Sequence, residues 1–419
     1  MPEPTYSFTL PSLEDDTVLV CRIYHPQSFR EVTASTSGRL PVVKGAVFAH
    51  PYAPLGGSYD DDVVLSTTKT LLEQGYLVVT FNFRGAGESA GKTSWTGRAE
   101  INDYATQVGF VVQYLESLQQ PLDDLSISSS SRSGLSRHGS EKSIDEASSR
   151  AFHLLLGGYS YGSLVLNRLP AVASIVKRFR DAETGTGAAE VITRARMLAH
   201  QTQRTMLEER QATQARGRML QPSDAGSDES AHAKASPISM GGEETNANDR
   251  RRSRDSRRSG EMSRKSIDLP HRIKQHLRKD SERMHPKGVT AEKPNPAHSA
   301  GMALPEIEVK YLLVSPVVLP FSNTLCPPGP PTGFPLPQKR PGDSTPVGLF
   351  LQHQTLAIFG SNDSFTSAKR LRHWAEKQTN DSTHANFQWR MINTAGHFWR
   401  EPGVMSEMQH EFASWLKSD

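Results

Sequence analysis

The feature that most constrains this chain is a short apolar run that ends in a Gly-x-Ser-x-Gly pattern. Residues 153–157 are almost wholly apolar, residues 158–162 read Gly-Tyr-Ser-Tyr-Gly, and the helix-compatible residues 164–169 follow. A strand, a sharp turn and a helix in this order form a nucleophile elbow, in which the serine has a strained backbone and an exposed hydroxyl. Glycine two positions to either side lets the strand and the helix pass closely. Ser160 is therefore the predicted nucleophile.

A second copy of the pattern competes with the first. Residues 87–91 read Gly-Glu-Ser-Ala-Gly and also follow an apolar run, residues 77–83. Residues 92–97 contain β-formers and a glycine, where an elbow needs a helix to begin at once. The context therefore favours Ser160 over Ser89.

The same stretch has another interpretation, because residues 86–93 come within one residue of a phosphate-binding P-loop. A P-loop requires a helix that starts at Lys92, and a later apolar strand that ends in Asp to hold Mg²⁺. The later apolar strands end in Gly-Gly, Ser-Pro or Phe-Gly instead. The P-loop stays the less favoured alternative.

Two segments account for a mean hydropathy of −0.52, which is low for a globular chain of 419 residues. Residues 122–150 are polar, and 126–133 are nearly all serine, so we expect a disordered insertion there. Residues 176–305 form a second, charged and largely disordered insertion, whose first part, 188–218, predicts a solvated or marginal helix with a thin apolar face. What remains is roughly 230 to 250 residues, enough for one α/β domain.

Charge is concentrated in the second insertion. Residues 250–279 contain 12 Lys and Arg against three acidic residues, a local charge of +9, so the rest of the chain carries −6 of the total +3. This composition favours a localisation signal, an anionic partner such as nucleic acid or a membrane surface, or a kinase that phosphorylates serines behind arginines. A solvated tether is the alternative.

The chain lacks the features of a secreted or membrane protein. Cys21 and Cys326 are its only cysteines, and no Cys/His cluster has zinc spacing. The N-terminus lacks the basic start and apolar core of a secretion signal, and no apolar stretch approaches ~18 residues. We expect no transmembrane segment and a cytoplasmic protein, with the nucleus as an alternative through the basic insertion.

Hydrophobic periodicity predicts an alternating pattern of strands and helices. The predicted strands are 17–24, 45–49, 77–83, 309–316, 355–360 and 387–393, and the predicted helices are 62–74, 100–118, one from about 366, and a last one that includes Val404 and Leu416. Ten prolines lie between Pro316 and Pro346 and exclude an inner strand or a helix there. This stretch follows a strand end, so it is a candidate lid.

The partners of the serine come from two later strand ends. Asp363 follows the strand 355–360, where a carboxylate can orient an imidazole. His397 follows the strand 387–393 and is preceded by Gly396, which completes the order Ser, Asp, His. The alternatives are that Asp363 only caps the next helix and that His397 is an ordinary turn histidine.

Residues 50–58, rich in Gly and Pro, follow the strand 45–49 and predict an oxyanion loop. Because Pro51 has no N–H, we expect the backbone N–H groups of Tyr52 and Tyr161 to be the donors. The alternative is a tight turn without a catalytic part.

Taken together, Gly-Tyr-Ser-Tyr-Gly, Gly-Ser-Asn-Asp at 360–363 and Ala-Gly-His-Phe at 395–398 resemble the α/β-hydrolase superfamily. The stretches 50–57 and 82–89 are similar to small hydrolases related to dienelactone hydrolases and serine aminopeptidases, which have Pro after a second His where this chain has Tyr52 and Ala53. The resemblance implies a mostly parallel eight-stranded sheet flanked by helices, no cofactor, and hydrolysis of an ester, thioester or amide.

These observations predict one hydrolase domain with two long insertions. Its parts are 1–121, the elbow unit 151–175, and 306–419 with the proline-rich loop 316–346, and the insertions are 122–150 and 176–305. The predicted protein is a carboxylesterase-like serine hydrolase that acts on a small-molecule acyl substrate through an acyl-enzyme. The alternatives are a serine aminopeptidase-like peptidase, and a non-enzymatic adaptor that uses the basic insertion.

Overall fold

The computed structural model describes residues 1–29, 44–94, 96–120, 152–219, 306–318, 349–381 and 386–418. Within these residues the strands are β1 (Tyr6–Pro11), β2 (Val18–Tyr24), β3 (Lys44–Ala49), β4 (Tyr76–Phe81), β5 (Phe152–Tyr159), β6 (Ile307–Val314), β7 (Gln354–Asn362) and β8 (Phe387–Gly396). The helices are α1 (Asp62–Glu73), α2 (Arg98–Leu118), α3 (Tyr161–Leu166), α4 (Val172–Arg180), α5 (Gly187–Met219), α6 (Leu349–Gln352), α7 (Ala368–Asp381) and α8 (Val404–Lys417).

The strands form one sheet in the order β1-β2-β4-β3-β5-β6-β7-β8. The β1–β2 and β2–β4 pairs are antiparallel and all later pairs are parallel. Parallel neighbours need crossover connections, and helices provide these connections on both faces of the sheet. The predicted eight-stranded, mostly parallel sheet flanked by helices is therefore confirmed.

The core lies in two layers, one on each face of the sheet. Alternate residues of β5 point to opposite faces, so Leu154 and Leu156 join one apolar cluster while Leu155 joins the other. Helices α2, α3, α4, α5 and α7 cover the first layer, and α1 and α8 cover the second. Burial on both faces explains why the inner strands are continuous apolar runs.

Parallel pairing brings the carboxyl ends of the inner strands to one edge of the sheet. Ala49 at the end of β3 lies opposite Gly158 of β5, and Tyr159 lies opposite Val314 at the end of β6. The loop 50–58 and the Gly-x-Ser-x-Gly turn therefore start side by side. Ligands of open α/β sheets bind at this edge.

The structure corrects the predicted start of the second insertion at 176. Val176 and Phe179 of α4 are buried, and the first half of α5 packs against α2 through Ala195 and Ala199, which have no exposed surface. The Tyr114 hydroxyl of α2 also lies 2.7 Å from the Thr202 hydroxyl of α5. The fold thus continues well into the region that the sequence analysis assigned to a solvated helix, because alanine faces allow close helix contact while adding little hydropathy.

Other sequence-based predictions lie outside the described residues. They include the serine-rich insertion 122–150, the basic segment 250–279 with its anionic or kinase partner, and most of the proline-rich loop 316–346 with its role as a lid. Among the helices that the structure does describe, none is both long and apolar enough to cross a membrane.

Candidate active site

The Gly-x-Ser-x-Gly turn after β5 forms a nucleophile elbow. Ser160 has φ 54° and ψ −111°, outside the regions that most residues adopt, and α3 begins at the next residue. The Ser160 N–H donates to the Val314 carbonyl at 2.9 Å, which ties the turn to β6. A Cβ atom on Gly158 would lie 2.4 Å from the backbone of Gly162, so a side chain there would force the strand and the helix apart.

The structure brings the three predicted side chains together. His397 Nε2 lies 2.8 Å from Ser160 Oγ, and His397 Nδ1 lies 2.7 Å from Asp363 Oδ2. The three residues are 3–7% exposed. Because an ionised carboxylate only accepts hydrogen bonds, Nδ1 carries the proton of the neutral ring and Nε2 accepts from the serine hydroxyl. This is the arrangement of a base that can remove the serine proton.

Asp363 combines the two roles that the sequence analysis treated as alternatives. Its Oδ1 accepts hydrogen bonds from the backbone N–H groups of Phe365 and Thr366, at 2.8 and 2.9 Å, while Oδ2 faces His397. The turn before α7 therefore fixes the carboxylate from one side. A fixed carboxylate in turn fixes the plane of the imidazole ring.

Two further contacts hold the histidine segment, and neither was predicted from the sequence. The Tyr159 hydroxyl donates to the His397 carbonyl at 2.7 Å, and Trp399 Nε1–H donates to Ser315 Oγ at 3.0 Å. Burial raises the pKa of Tyr159 well above its usual range, so its hydroxyl stays a donor. The available sequence signal was the position of Tyr159, directly before the predicted nucleophile.

The two residues predicted to supply the oxyanion donors, Tyr52 and Tyr161, lie close together. Tyr52 precedes the short 3₁₀ turn Ala53–Leu55 in the loop after β3, and Tyr161 is the first residue of α3. Their rings are 5.1 Å apart, and the Tyr161 hydroxyl donates to the Ser94 carbonyl at 2.8 Å. A Cβ atom on Gly162 would lie 2.7 Å from the Ala49 carbonyl oxygen, so α3 starts in close contact with the end of β3, three residues before Tyr52.

The second Gly-x-Ser-x-Gly has a structural role. Ser89 Oγ donates to the Asn82 carbonyl at 2.8 Å and accepts from the Val20 N–H at 2.9 Å, which ties the loop after β4 to β2. No helix begins at Lys92, since α2 begins at Arg98. The structure therefore contradicts the P-loop interpretation and agrees with the choice against Ser89.

Arg84, in the same loop, binds carboxylates of the protein itself. Its guanidinium lies 2.7 Å from Asp103 Oδ1 and 2.7 Å from Asp15 Oδ2, and Asp103 has no exposed surface. Because both carboxylates belong to the protein, Arg84 has a structural role. Among the described residues, no group of three or more His, Cys, Asp or Glu side chains is placed to hold a metal ion.

Comparisons with known proteins agree with a hydrolase. Residues 15–122, about a quarter of the chain, match the X-Pro dipeptidyl-peptidase (S15) family, a range that ends before the elbow. A search of curated proteins found no match. The family match supports hydrolase activity, and it leaves the choice between ester and peptide substrates open.

Three solved structures illustrate what this chain is similar to. An α/β serine hydrolase homologue from Coxiella burnetii is 12% identical with a TM-score of 0.41 and covers 99% of this chain and 98% of its own. An α/β serine hydrolase without a lid from Xanthomonas campestris is 14% identical with a TM-score of 0.40 (100% and 98%). Est1E from Butyrivibrio proteoclasticus, with ferulic acid bound, is 9% identical with a TM-score of 0.39 and covers 98% of this chain and 97% of its own.

The sheet order and the geometry of the site together identify the fold. The strand order is that of an antiparallel pair followed by a parallel sheet, and the elbow follows its central strand β5. Serine, aspartate and histidine occur in the order that this superfamily uses, and they meet at one edge of the sheet. This chain therefore has the α/β-hydrolase fold.

Proposed function

We propose that this protein is a serine hydrolase that cleaves a carboxylic ester of a small or medium acyl chain through an acyl-enzyme intermediate. The observation that carries the proposal is the hydrogen-bonded series of Ser160 Oγ, His397 and Asp363, with separations of 2.8 and 2.7 Å. Nucleophile, base and orienting carboxylate at these distances are what acyl transfer requires.

In this mechanism Ser160 Oγ attacks the substrate carbonyl carbon while His397 Nε2 takes the hydroxyl proton. Asp363 stabilises the imidazolium that forms and keeps Nδ1 protonated. When the bond to the leaving group breaks, Nε2 gives its proton to the leaving oxygen, and the acyl group stays on Ser160. Water then attacks the acyl-enzyme by the same route and releases the acid.

The backbone N–H groups of Tyr52 and Tyr161 would bind the oxyanion. Both residues follow strand ends that are neighbours in the sheet, so their backbones can face the same carbonyl. Such a donor contributes about 3 kcal/mol to transition-state stabilisation.

Apolar side chains around the site support an apolar ester substrate. Leu55 in the loop after β3 is 64% exposed, and Phe365 and Phe398 are 45% and 47% exposed. The Phe365 ring lies 4.3 Å from the imidazole ring of His397, and the Phe398 ring lies 5.5 Å from it. Exposed aromatic rings in contact with the reacting base suit an apolar group better than a charged one.

Glu100 supports the same choice, because it is already occupied within the protein. This buried carboxylate accepts hydrogen bonds from both the backbone N–H and the hydroxyl of Ser94. Burial raises its pKa. Because Ser94 engages both of its oxygens, Glu100 is not available to bind the amino group of a peptide substrate.

Labelling with a fluorophosphonate tests the proposal, since the reagent reacts with an activated serine hydroxyl. We expect one labelled peptide in a digest of the wild-type protein, the one that contains Ser160, and no label in Ser160→Ala. Labelling of Ser89, or equal labelling of Ser160→Ala, would remove the catalytic role of Ser160.

A peptidase is the second candidate, because residues 15–122 match the X-Pro dipeptidyl-peptidase family. We would compare p-nitrophenyl esters of increasing acyl length with aminoacyl and X-Pro dipeptidyl p-nitroanilides. If the kcat/KM for one of the anilides is higher than the kcat/KM for every ester, the peptidase is favoured. A protein that is neither labelled nor active on any substrate would favour the non-enzymatic adaptor. In that case the basic segment 250–279 would bind the proposed anionic partner or kinase.

A further inference from the structure

His50 is a fully buried histidine that the proposed mechanism does not use. It follows β3 directly and has no exposed surface. Its Nδ1 lies 2.6 Å from the Pro51 carbonyl oxygen, and its Nε2 lies 2.9 Å from the Phe83 backbone nitrogen. Because the Phe83 N–H can only donate, Nε2 is the acceptor, so Nδ1 carries the proton and donates to Pro51.

The surroundings keep this ring neutral. Burial lowers the pKa of His50 to about 4, so the ring carries a single proton at neutral pH. The ring also packs edge-on against Phe83, with centroids 5.0 Å apart. Both ring nitrogens are thus committed to backbone groups, one at the end of β4 and one in the loop after β3.

The bond to Pro51 bears directly on the proposed oxyanion hole. In a planar trans peptide the C=O and the following N–H point in opposite directions. A hydrogen bond that fixes the Pro51 carbonyl therefore also fixes the direction of the Tyr52 N–H. The His50 carbonyl oxygen in turn lies close to α3, because a Cβ atom on Gly162 would come within 2.9 Å of it.

We propose that His50 is a positioning residue, whose imidazole holds the Pro51 carbonyl and thereby directs the Tyr52 N–H at the oxyanion. This inference rests on the proposed serine hydrolase function. It assigns His50 a role in the transition state, where the oxyanion forms, and none in binding the ground-state ester.

Two substitutions separate this role from simple structural support. The amide nitrogen of Asn in His50→Asn can reach the Pro51 carbonyl but leaves the Phe83 N–H unbonded. The longer Gln side chain in His50→Gln can accept from the Phe83 N–H through its oxygen. Its amide nitrogen does not occupy the position of Nδ1, so the hydrogen bond to the Pro51 carbonyl is lost. We expect kcat to fall about 10- to 100-fold in His50→Gln, with KM within about threefold of wild type, and kcat of His50→Asn to stay within about fivefold.

A matched control is His25→Gln. Burial also lowers the pKa of His25 to about 4, and its Nε2 lies 2.8 Å from the Tyr114 hydroxyl. β2 runs antiparallel to β4, so His25, just after β2, lies at the sheet edge opposite the site. We expect His25→Gln to lower the melting temperature and to leave kcat within about twofold of wild type. Equal kcat values for His50→Gln and His50→Asn would overturn the proposal. So would a kcat that falls in parallel with the melting temperature across the three variants.

A measurement on the wild-type protein covers the case in which the variants fail to fold. With ¹⁵N labelling, the His50 ring should show the Nδ1–H tautomer, and the Tyr52 amide signal should move when a trifluoromethyl ketone forms its adduct with Ser160. An Nε2–H tautomer, or a Tyr52 amide that does not respond to the adduct, would overturn the positioning role and leave the serine hydrolase intact. Wild-type protein that fluorophosphonate does not label would overturn both.

Discussion

The two Gly-x-Ser-x-Gly segments of this chain share a pattern but not a structure. Ser160 has a positive φ of 54°, a helix begins at the next residue, and its hydroxyl faces an imidazole. Ser89 is followed by eight residues before α2 begins, and its hydroxyl bonds two backbone groups. Both serines are 7% exposed, so burial does not distinguish them. What distinguishes them is the partner that the sheet brings to each hydroxyl.

This comparison shows which part of the pattern carries chemistry. The glycines permit a tight turn in both segments, but only the turn after β5 lies beside the loops that carry Asp363 and His397. A serine becomes a nucleophile through a neighbouring base, and the base comes from a distant part of the chain. Substitutions at matched positions in the two segments should therefore have opposite effects on rate and on stability.

The largest expected difference is between Ser160→Ala and Ser89→Ala in activity. Removal of Ser160 should lower kcat by a factor on the order of 10⁴ or more, because the covalent route is lost. Ser89→Ala should keep kcat within about threefold of wild type, measured at a temperature where both proteins are folded. Steady-state hydrolysis of a p-nitrophenyl ester provides the measurement, and comparable losses in the two variants would contradict the assignment.

The next effect concerns Asp363, the carboxylate that orients the imidazole facing Ser160. Asp363→Asn should lower kcat by roughly 10³- to 10⁴-fold, because the amide no longer holds the Nδ1–H form of His397. The Asn oxygen can still accept from the N–H groups of Phe365 and Thr366, so the melting temperature should change little. A loss of activity that is matched by a large loss of stability would mean that Asp363 acts mainly as a cap.

How far the site could be predicted depends on how local each signal is. The elbow, the aspartate and the histidine each follow an apolar run at a strand end, so a short stretch of sequence contains each signal. Tyr159 and Ser315 were missed because their partners are 238 and 84 residues away in sequence, and only the sheet register reveals them. The role of His50 was hidden for the same reason, since Phe83 reaches it through the neighbouring strand.

The fold shows the same limit. The inner strands were predictable because they are buried on both faces and read as apolar runs. β1 was missed, and it includes Ser7, Thr9 and Pro11. The packing of α5 was missed because Ala195 and Ala199 carry little hydrophobic signal, although both are fully buried against α2.

Glycine substitutions sharpen the comparison at the level of the turns. A Cβ atom in Gly162→Ala would lie 2.7 Å from the Ala49 carbonyl oxygen, which is backbone and cannot rotate away. We expect the elbow to shift and kcat to fall roughly 10²-fold. Gly91 has φ 83° and side-chain atoms as its nearest neighbours, so Gly91→Ala should lower the free energy of unfolding by about 1–2 kcal/mol and leave kcat unchanged. A Gly162→Ala enzyme with wild-type kcat would show that the elbow tolerates the displacement.

The smallest expected effect is on stability, where Ser89→Ala should be more damaging than Ser160→Ala. Ser89→Ala leaves the Val20 N–H and the Asn82 carbonyl without the hydroxyl that joins them, which should lower the free energy of unfolding by about 1–3 kcal/mol. The partner of the Ser160 hydroxyl is a side chain, and His397 keeps its bond to Asp363 when that hydroxyl is removed. Ser160→Ala should therefore unfold within about 0.5 kcal/mol of wild type, since catalytic groups are commonly kept for activity at the expense of stability. Urea denaturation of both variants measures this order. If Ser160→Ala proves as unstable as Ser89→Ala, the hydrogen bond between Ser160 and His397 stabilises the fold in addition to its role in catalysis. The two serines would then differ only in their effect on the rate.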